Sequence, residues 1–159
     1  MFERKQTTNR EPNSTSWAIL KWYWLLIPTL FFIFVVPSWA QGGEAVALES
    51  SSIYNFIFQM FNLGLAGVLT QTSPFERSRT GAADGVLKMA IAQQLISQNI
   101  LGLGLAIYVW YKLPRKVTPE MVSSEQMEKE YFKPKTLYIL TGIVLILTIL
   151  AIISQMLIY

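Results

Sequence analysis

Apolar residues in this chain come in long runs, without the short alternation of a soluble domain. The first run, Trp22–Val36, carries no charge and follows a segment holding Arg4, Lys5, Arg10 and Lys21. Further runs cover 53–70, 86–111 and 137–159, the last two separated by a polar linker, 112–135. Within hydrocarbon a single segment must satisfy its own backbone hydrogen bonds, so runs of this length predict helices and an all-α integral membrane protein.

The first run has the parts of an export signal. A basic segment precedes a short apolar core, and Ser38 and Ala40 put small residues at the −3 and −1 positions of a cleavage site. The core is shorter than the roughly 20 residues a spanning helix needs, and Pro28 is expected to kink it. Residues 1–40 are therefore read as a signal peptide cleaved after Ala40, leaving a membrane helical domain over 41–159. The alternative is an uncleaved signal-anchor over Trp17–Ala40, with Lys21 reaching back to the headgroups. In both cases Gln41 emerges on the far side of the membrane, because the basic segment stays in the cytoplasm.

The run over 137–159 is dominated by Leu, Ile and Val and is long enough to span. The run over 86–111 closes on Tyr108, Trp110, Tyr111 and Lys112, residues that favour the headgroup level, and Pro114 stops it. The segment 53–70 is amphipathic: Asn55, Gln59 and Asn62 share one helical face opposite Phe56, Met60 and Leu63. Such a helix either lies in the interface or crosses. If it crosses, Arg77 and Arg79 are cytoplasmic and Lys112, Arg115, Lys116, Lys129, Lys133 and Lys135 lie outside; if it lies on the outer surface, those six are inside and the two Arg outside. The positive-inside rule then favours an interfacial 53–70, with spans at 86–111 and 137–159 forming a hairpin around a cytoplasmic linker. Three spans after the signal is the alternative, and the two place Tyr159 on opposite sides.

Polar residues within the runs are the main functional signal. Gln93 and Ser97, and Gln94 and Gln98, form i, i+4 pairs in the third run, and amides facing acyl chains are costly. This side, with Asn55, Gln59 and Asn62, is expected to face protein, through packing hydrogen bonds of on the order of 1 kcal/mol each. A polar lumen is the sharper alternative. Gly64, Gly67, Gly102, Gly104 and Ala106 are candidate close-packing positions. FNLGLAGVL at 61–69 faintly echoes NILGLGLAI at 99–107, which we read as shared packing needs. In the linker, Ser124 is a candidate cap for a short helix that turns Met127 to the membrane surface.

Composition narrows the chemistry. Charged residues make up 14% of the chain, against about 25% in soluble domains. There is no Cys and no His, which removes disulfides, thiolates, imidazole bases and the usual zinc or haem ligands. Glu44 and Glu49 read as solvated loop charges, and Asp84 with Lys88 as a helix-start ion pair. No ionisable residue lies deep within a run, as an autonomous proton or ion path would need. The expectation is a non-enzyme with no catalytic residue, no cofactor and no metal. The formal charge of +3 follows from positive flanks, and nucleic acid is not an expected partner.

A processed N-terminus, an amphipathic first helix and two spans joined by a basic loop resemble the pilin-like small membrane subunits of conjugative and type IV secretion systems. The resemblance covers 16–159 as architecture; the linker here is longer and the last span richer in Leu and Ile. It implies a subunit of a multi-protein envelope assembly in the bacterial inner membrane, preferably secretion or conjugation machinery. Its expected partners are other membrane subunits, the lipid bilayer, a second copy of the chain and a cytoplasmic component at the linker 112–135. An accessory subunit of an energy-converting or transport complex is the alternative.

Overall fold

The computed structural model describes residues 14–38 and 50–158, and every regular element among them is helical. Helix α1 covers Ser14–Leu30, continues through a π-helical turn at Phe31–Val35 and is described as far as Ser38. Helix α2 covers Ser50–Thr70, α3 Ala82–Ile96, α4 Ile100–Lys112, α5 Ser124–Met127 and α6 Pro134–Ile158. Thr15–Ser38, Ile53–Thr70 and Pro134–Leu157 are each long and apolar enough to cross a membrane. The chain is a multi-pass membrane protein with three candidate spans.

Pro28 does not end α1. It removes one backbone donor, and a few residues later the register widens so that Val36 N–H reaches the carbonyl of Phe31. The helix thereby keeps spanning length, roughly 36 Å over Thr15–Ser38. Trp17, Leu20 and Trp24 are buried against Leu65, Ala66 and Leu69 of α2, and Trp17 Nε1 donates to the carbonyl of Leu69 at 3.1 Å. Phe32 meets Phe56 edge to face at the other end. The two helices are thus antiparallel along their length.

The continuous segment expected over 86–111 is corrected by the structure: α3 and α4 are two arms of a helical hairpin. The hairpin enters through the start of α3 and leaves through the end of α4 at the end of the bundle where Trp17 meets Leu69, and neither arm is long enough to span. At 15 and 13 residues they reach about 22 and 20 Å, against a hydrocarbon core of about 30 Å. Gln98 adopts φ 56°, and two hydrogen bonds close the end of α3: Gln98 N–H to the Leu95 carbonyl (3.1 Å) and Asn99 N–H to that of Gln94 (3.0 Å). That is a Schellman ending. Asn99 then caps α4, its Oδ1 accepting from Gly102 N at 3.1 Å. Ser97 and Gln98 therefore lie beyond the end of α3, not on its helical face with Gln93 and Gln94.

The hairpin fits between α1 and α6, with α4 against α1 and α3 against α6, while α2 packs on both α1 and α6. Gly85 permits the α3–α6 approach, since a Cβ there would lie 2.5 Å from the ring of Tyr138. At the charged end, Pro74–Glu76 forms a 3-10 turn in the loop joining α2 to α3. Arg79 N–H donates to the carbonyl of Pro114, Thr80 Oγ1 to that of Arg115, and Phe132 N–H to that of Gln71. The linker is thus clamped onto this loop, with Val117 and Val122 buried beneath it. The short helix α5 starts from Ser123, without a side-chain cap bond, so Ser124 is its first residue and not the cap; Met127 is exposed.

A non-glycine residue in the left-handed region costs about 1 kcal/mol. Gln98→Gly is therefore expected to raise the thermal midpoint of the detergent-solubilised protein, and the β-branched Gln98→Val to lower it.

Candidate functional site

The polar residues singled out within the apolar runs converge on the hairpin and the helices around it. On α3, Gln93 and Gln94 are buried, 1% and 0% exposed; on α2, Asn62 is 4% exposed. Gln94 Nε2 donates to Asn62 Oδ1 at 2.8 Å and to Gln93 Oε1 at 2.6 Å. Gln94 Oε1 accepts from Asn99 Nδ2 at 2.6 Å, and Asn99 Oδ1 accepts from the Tyr23 hydroxyl of α1 at 3.0 Å. One relay of amides thus ties α1, α2, α3 and the cap of α4 together. Tyr23 lies nine residues from the start of α1 and Asn62 eight from the end of α2, about 12–14 Å along each helix.

Gly102 is what lets the relay close. A Cβ at this position would overlap the amide oxygen of Gln94 and lie 2.6 Å from Asn99 Nδ2. Ala106, one turn on, is buried in the core. The other small residues divide: Gly64 faces Val144, where a Cβ would make ordinary contact at 3.4 Å, whereas Gly67 and Gly104 look onto open space. The last two are therefore not close-packing positions within this chain.

Two of the three polar residues of the α2 stripe, Gln59 and Asn62, are turned into the bundle, whereas Asn55 is exposed. Asn62 joins the relay and Gln59 Oε1 is buried without a hydrogen-bond partner, as are Trp24 Nε1 and Gln93 Nε2. Phe56 and Met60, on the opposite face, are exposed. The helix therefore packs Asn62 and Gln59 against its neighbours within the chain, and at Ile53–Thr70 it is long and apolar enough to cross a membrane. Asn55 lines a separate cavity of about 300 Å³ with Tyr54, Ser97, Gln98 and Gln155. This second space lies beyond the hairpin tip, toward the end of the bundle away from Arg77 and Arg79. The Tyr54 hydroxyl donates to the carbonyl of Ala151 and closes one wall.

Charge is segregated to the other end. Among the described residues, every Lys, Arg, Asp and Glu lies on the α2–α3 loop, the linker or the adjoining turns of α3, α4 and α6, except Lys21 of α1, which lines a cavity with Arg77, Glu125 and Lys129. Indole rings hold several of these cations: Arg77 stands 5.2 Å over Trp17, Arg79 4.8 Å over Trp110 and Lys21 5.3 Å over Trp22. Asp84 accepts from Lys88 Nζ at 2.6 Å and from Trp110 Nε1 at 2.8 Å. Burial pushes the Asp84 carboxyl up, but these two hydrogen bonds and the charges of Lys88 and Arg79 outweigh it and hold the group below the ordinary carboxylate range.

Sequence reading missed Tyr23, Trp24 and Asn99 as parts of the site. The signal for Asn99 was present, since an Asn directly before the apolar run that starts at Ile100 is a cap pattern. Ser38 is exposed at the end of α1, and Ala40, the expected cleavage position, lies outside the described residues. Among the described residues no three His, Cys, Asp or Glu side chains converge. No protein-family model matches the chain, and searches of curated proteins and of solved structures return no match.

Gln94→Leu leaves Asn62 Oδ1, Gln93 Oε1 and Asn99 Nδ2 to find other partners, and is expected to destabilise the protein by about 1–3 kcal/mol. The double variant with Asn62→Leu should cost less than the sum of the two, as read by thermal unfolding in detergent. Because its folded pKa is depressed, Asp84 contributes stability that is present above its unfolded pKa, near 3.9, and is lost as pH falls through the folded value. The thermal midpoint is expected to drop below about pH 4, and Asp84→Asn to remove that part of the drop.

Proposed function

We propose that this chain is a non-enzymatic integral-membrane subunit of a multi-protein bacterial envelope assembly, with secretion or conjugation machinery the preferred case. The carrying observation is the unfinished hairpin. Its arms stop part-way along α1 and α6, so the half of the space between those helices farther from Arg77 and Arg79 holds no hairpin. Leu95, Ile100 and Leu101 at its tip are 63%, 79% and 71% exposed. Backbone that leaves helical geometry at membrane depth is tolerated where protein or a water-filled cavity covers it, and a partner helix seated over the tip meets that need. The amides Asn62, Gln93 and Gln94 bond within the chain, so partner contact falls to this apolar tip and the outer helix faces.

The same topology supports a single orientation. In a continuous 86–111 span, Arg77 and Arg79 would lie opposite the basic linker. In a hairpin both lie on one side, which the positive-inside rule makes cytoplasmic. Helix α1 crosses outward, α2 returns, α3 and α4 dip in and out, and α6 crosses outward again. Because α1 contributes Trp17, Leu20 and Trp24 to the core and Tyr23 to the relay, we propose that it is retained as a signal-anchor, the alternative to cleavage after Ala40. A helix built into the core favours a fixed, pilin-like subunit over one that leaves the membrane to polymerise.

A second reading is an accessory subunit of a transport or energy-converting complex. The cavity of Tyr54, Asn55, Ser97, Gln98 and Gln155 at the tip of a broken helix favours it, since transporters use interrupted helices at the membrane midplane.

The chain has no Cys, so single-Cys variants test the arrangement directly. Arg79→Cys and Ser124→Cys are both expected to react with an impermeant thiol reagent only from the cytoplasmic face, and labelling on opposite faces overturns the topology. A photocrosslinking residue at Leu101 is expected to capture a membrane partner. Secretion ATPases or core-channel proteins in the recovered complex support the preferred reading and redox or transport subunits the second. An active, uncrosslinked monomer overturns both.

A further inference from the structure

Two cavities at the charged end share a rim at Lys21 and Thr70. The first, about 730 Å³, lies under the linker and is lined by charges of both signs: Lys21, Arg77 and Lys129, with Glu125 and Glu128. Arg77 is fixed in this wall, its Nε and Nη2 donating to the Thr72 carbonyl at 3.2 and 3.1 Å while it stands over Trp17. The second, about 680 Å³, is an apolar groove on the outer face of α2 between α1 and α6, lined by Leu25, Leu63, Gly67, Leu140, Ile143 and Val144. From Thr70 to Leu63 it runs roughly 10 Å toward the middle of the bundle. The groove is open at Gly67, where a Cβ would meet nothing within 4 Å.

We propose that the joined cavities bind one phospholipid of the charged-side leaflet, with a phosphoethanolamine headgroup in the first and an acyl chain in the second. The inference rests on the membrane placement of the chain but not on which assembly it joins. An occupant of both cavities must carry a polar end and an apolar tail, which excludes a free ion for the groove and a plain hydrocarbon for the headgroup cavity. Lys and Arg suit the phosphate. The carboxylates of Glu125 and Glu128 suit a primary ammonium and would repel a purely anionic headgroup. A zwitterion answers both signs within one cavity, and the linker that carries Glu125, Glu128 and Lys129 is anchored over it by the Phe132–Gln71 bond.

The test is native mass spectrometry of the full chain extracted from membranes in mild detergent, and again after delipidation and titration with phosphatidylethanolamine, phosphatidylglycerol or inorganic phosphate. The expected result is one bound phosphatidylethanolamine, with occupancy reduced about tenfold by Gly67→Leu, which fills the groove without touching the headgroup cavity. Lys21→Glu is expected to reduce it comparably. Ile143→Trp, at an exposed groove wall, provides a second block, and thermal unfolding of each variant shows that it is folded. A phosphate adduct insensitive to Gly67→Leu, a preference for phosphatidylglycerol, a protein seated in the groove, or a folded wild type that takes up no lipid each overturns the proposal. Carbonate extraction separates the levels: a chain released from membranes refutes the membrane placement itself, whereas a membrane-retained chain without lipid refutes this site alone.

Discussion

The hydrogen-bonded amides around Gln94 are the constraint on which the rest of this structure depends. In a low-dielectric interior an amide without a partner is expensive, and water is not at hand to replace one. Gln94 therefore has to find both Asn62 and Asn99, which sets how deeply the hairpin enters and how it turns. Asn99 does three things at once: it ends α3 through its N–H, caps α4 through Oδ1, and receives the Tyr23 hydroxyl from α1. Gly102 must lack a Cβ for that geometry to exist. The two neighbouring helices are positioned by the same small group of atoms.

At the other end, charge organises the fold in a complementary way. Indoles of Trp17 and Trp110 each hold a cation over one face and donate an N–H to a neighbouring oxygen, so they join rim to core. The loop after α2 and the linker after α4 are hydrogen-bonded to each other, which is possible because the hairpin returns the chain to the side it left. A span in place of the hairpin would have separated those two basic segments by the width of a bilayer. The apolar outer faces and the charged rim together leave one continuous surface, from headgroup level into the hydrocarbon, where the small residues of α2 widen the gap between α1 and α6.

The polar positions thus divide into an inward set that joins the helices to one another and a set at the hairpin tip and around the cavity beyond it. Asn62, Gln93 and Gln94 belong to the first. Asn55, Ser97, Gln98 and Gln155, with the apolar tip residues Leu95, Ile100 and Leu101, belong to the second. This division relocates the surface of interest from the amide face of the helices to the end of the hairpin.

Much of this was legible in the chain. Runs of apolar residues determined helices and membrane residence, because hydrocarbon permits few other backbones, and the amides marked themselves as inward-facing by their cost in lipid. The basic flanks at Lys21, Arg77, Arg79 and 112–135 declared which ends meet the headgroups. The break at Ser97–Asn99 was not legible as a turn, since no Gly or Pro marks it and Gln rarely takes φ above zero; the Asn99 cap was its one local signal. Nor was the use of α1, whose short apolar core and small residues read equally as a disposable signal. Only the tertiary structure decided these two matters. Whether a polar residue is a helix face or a turn, and whether an apolar helix is a signal or a core element, depends on partners distant in sequence, here Asn62 for Gln94 and Leu69 for Trp17, and local composition carries no record of them.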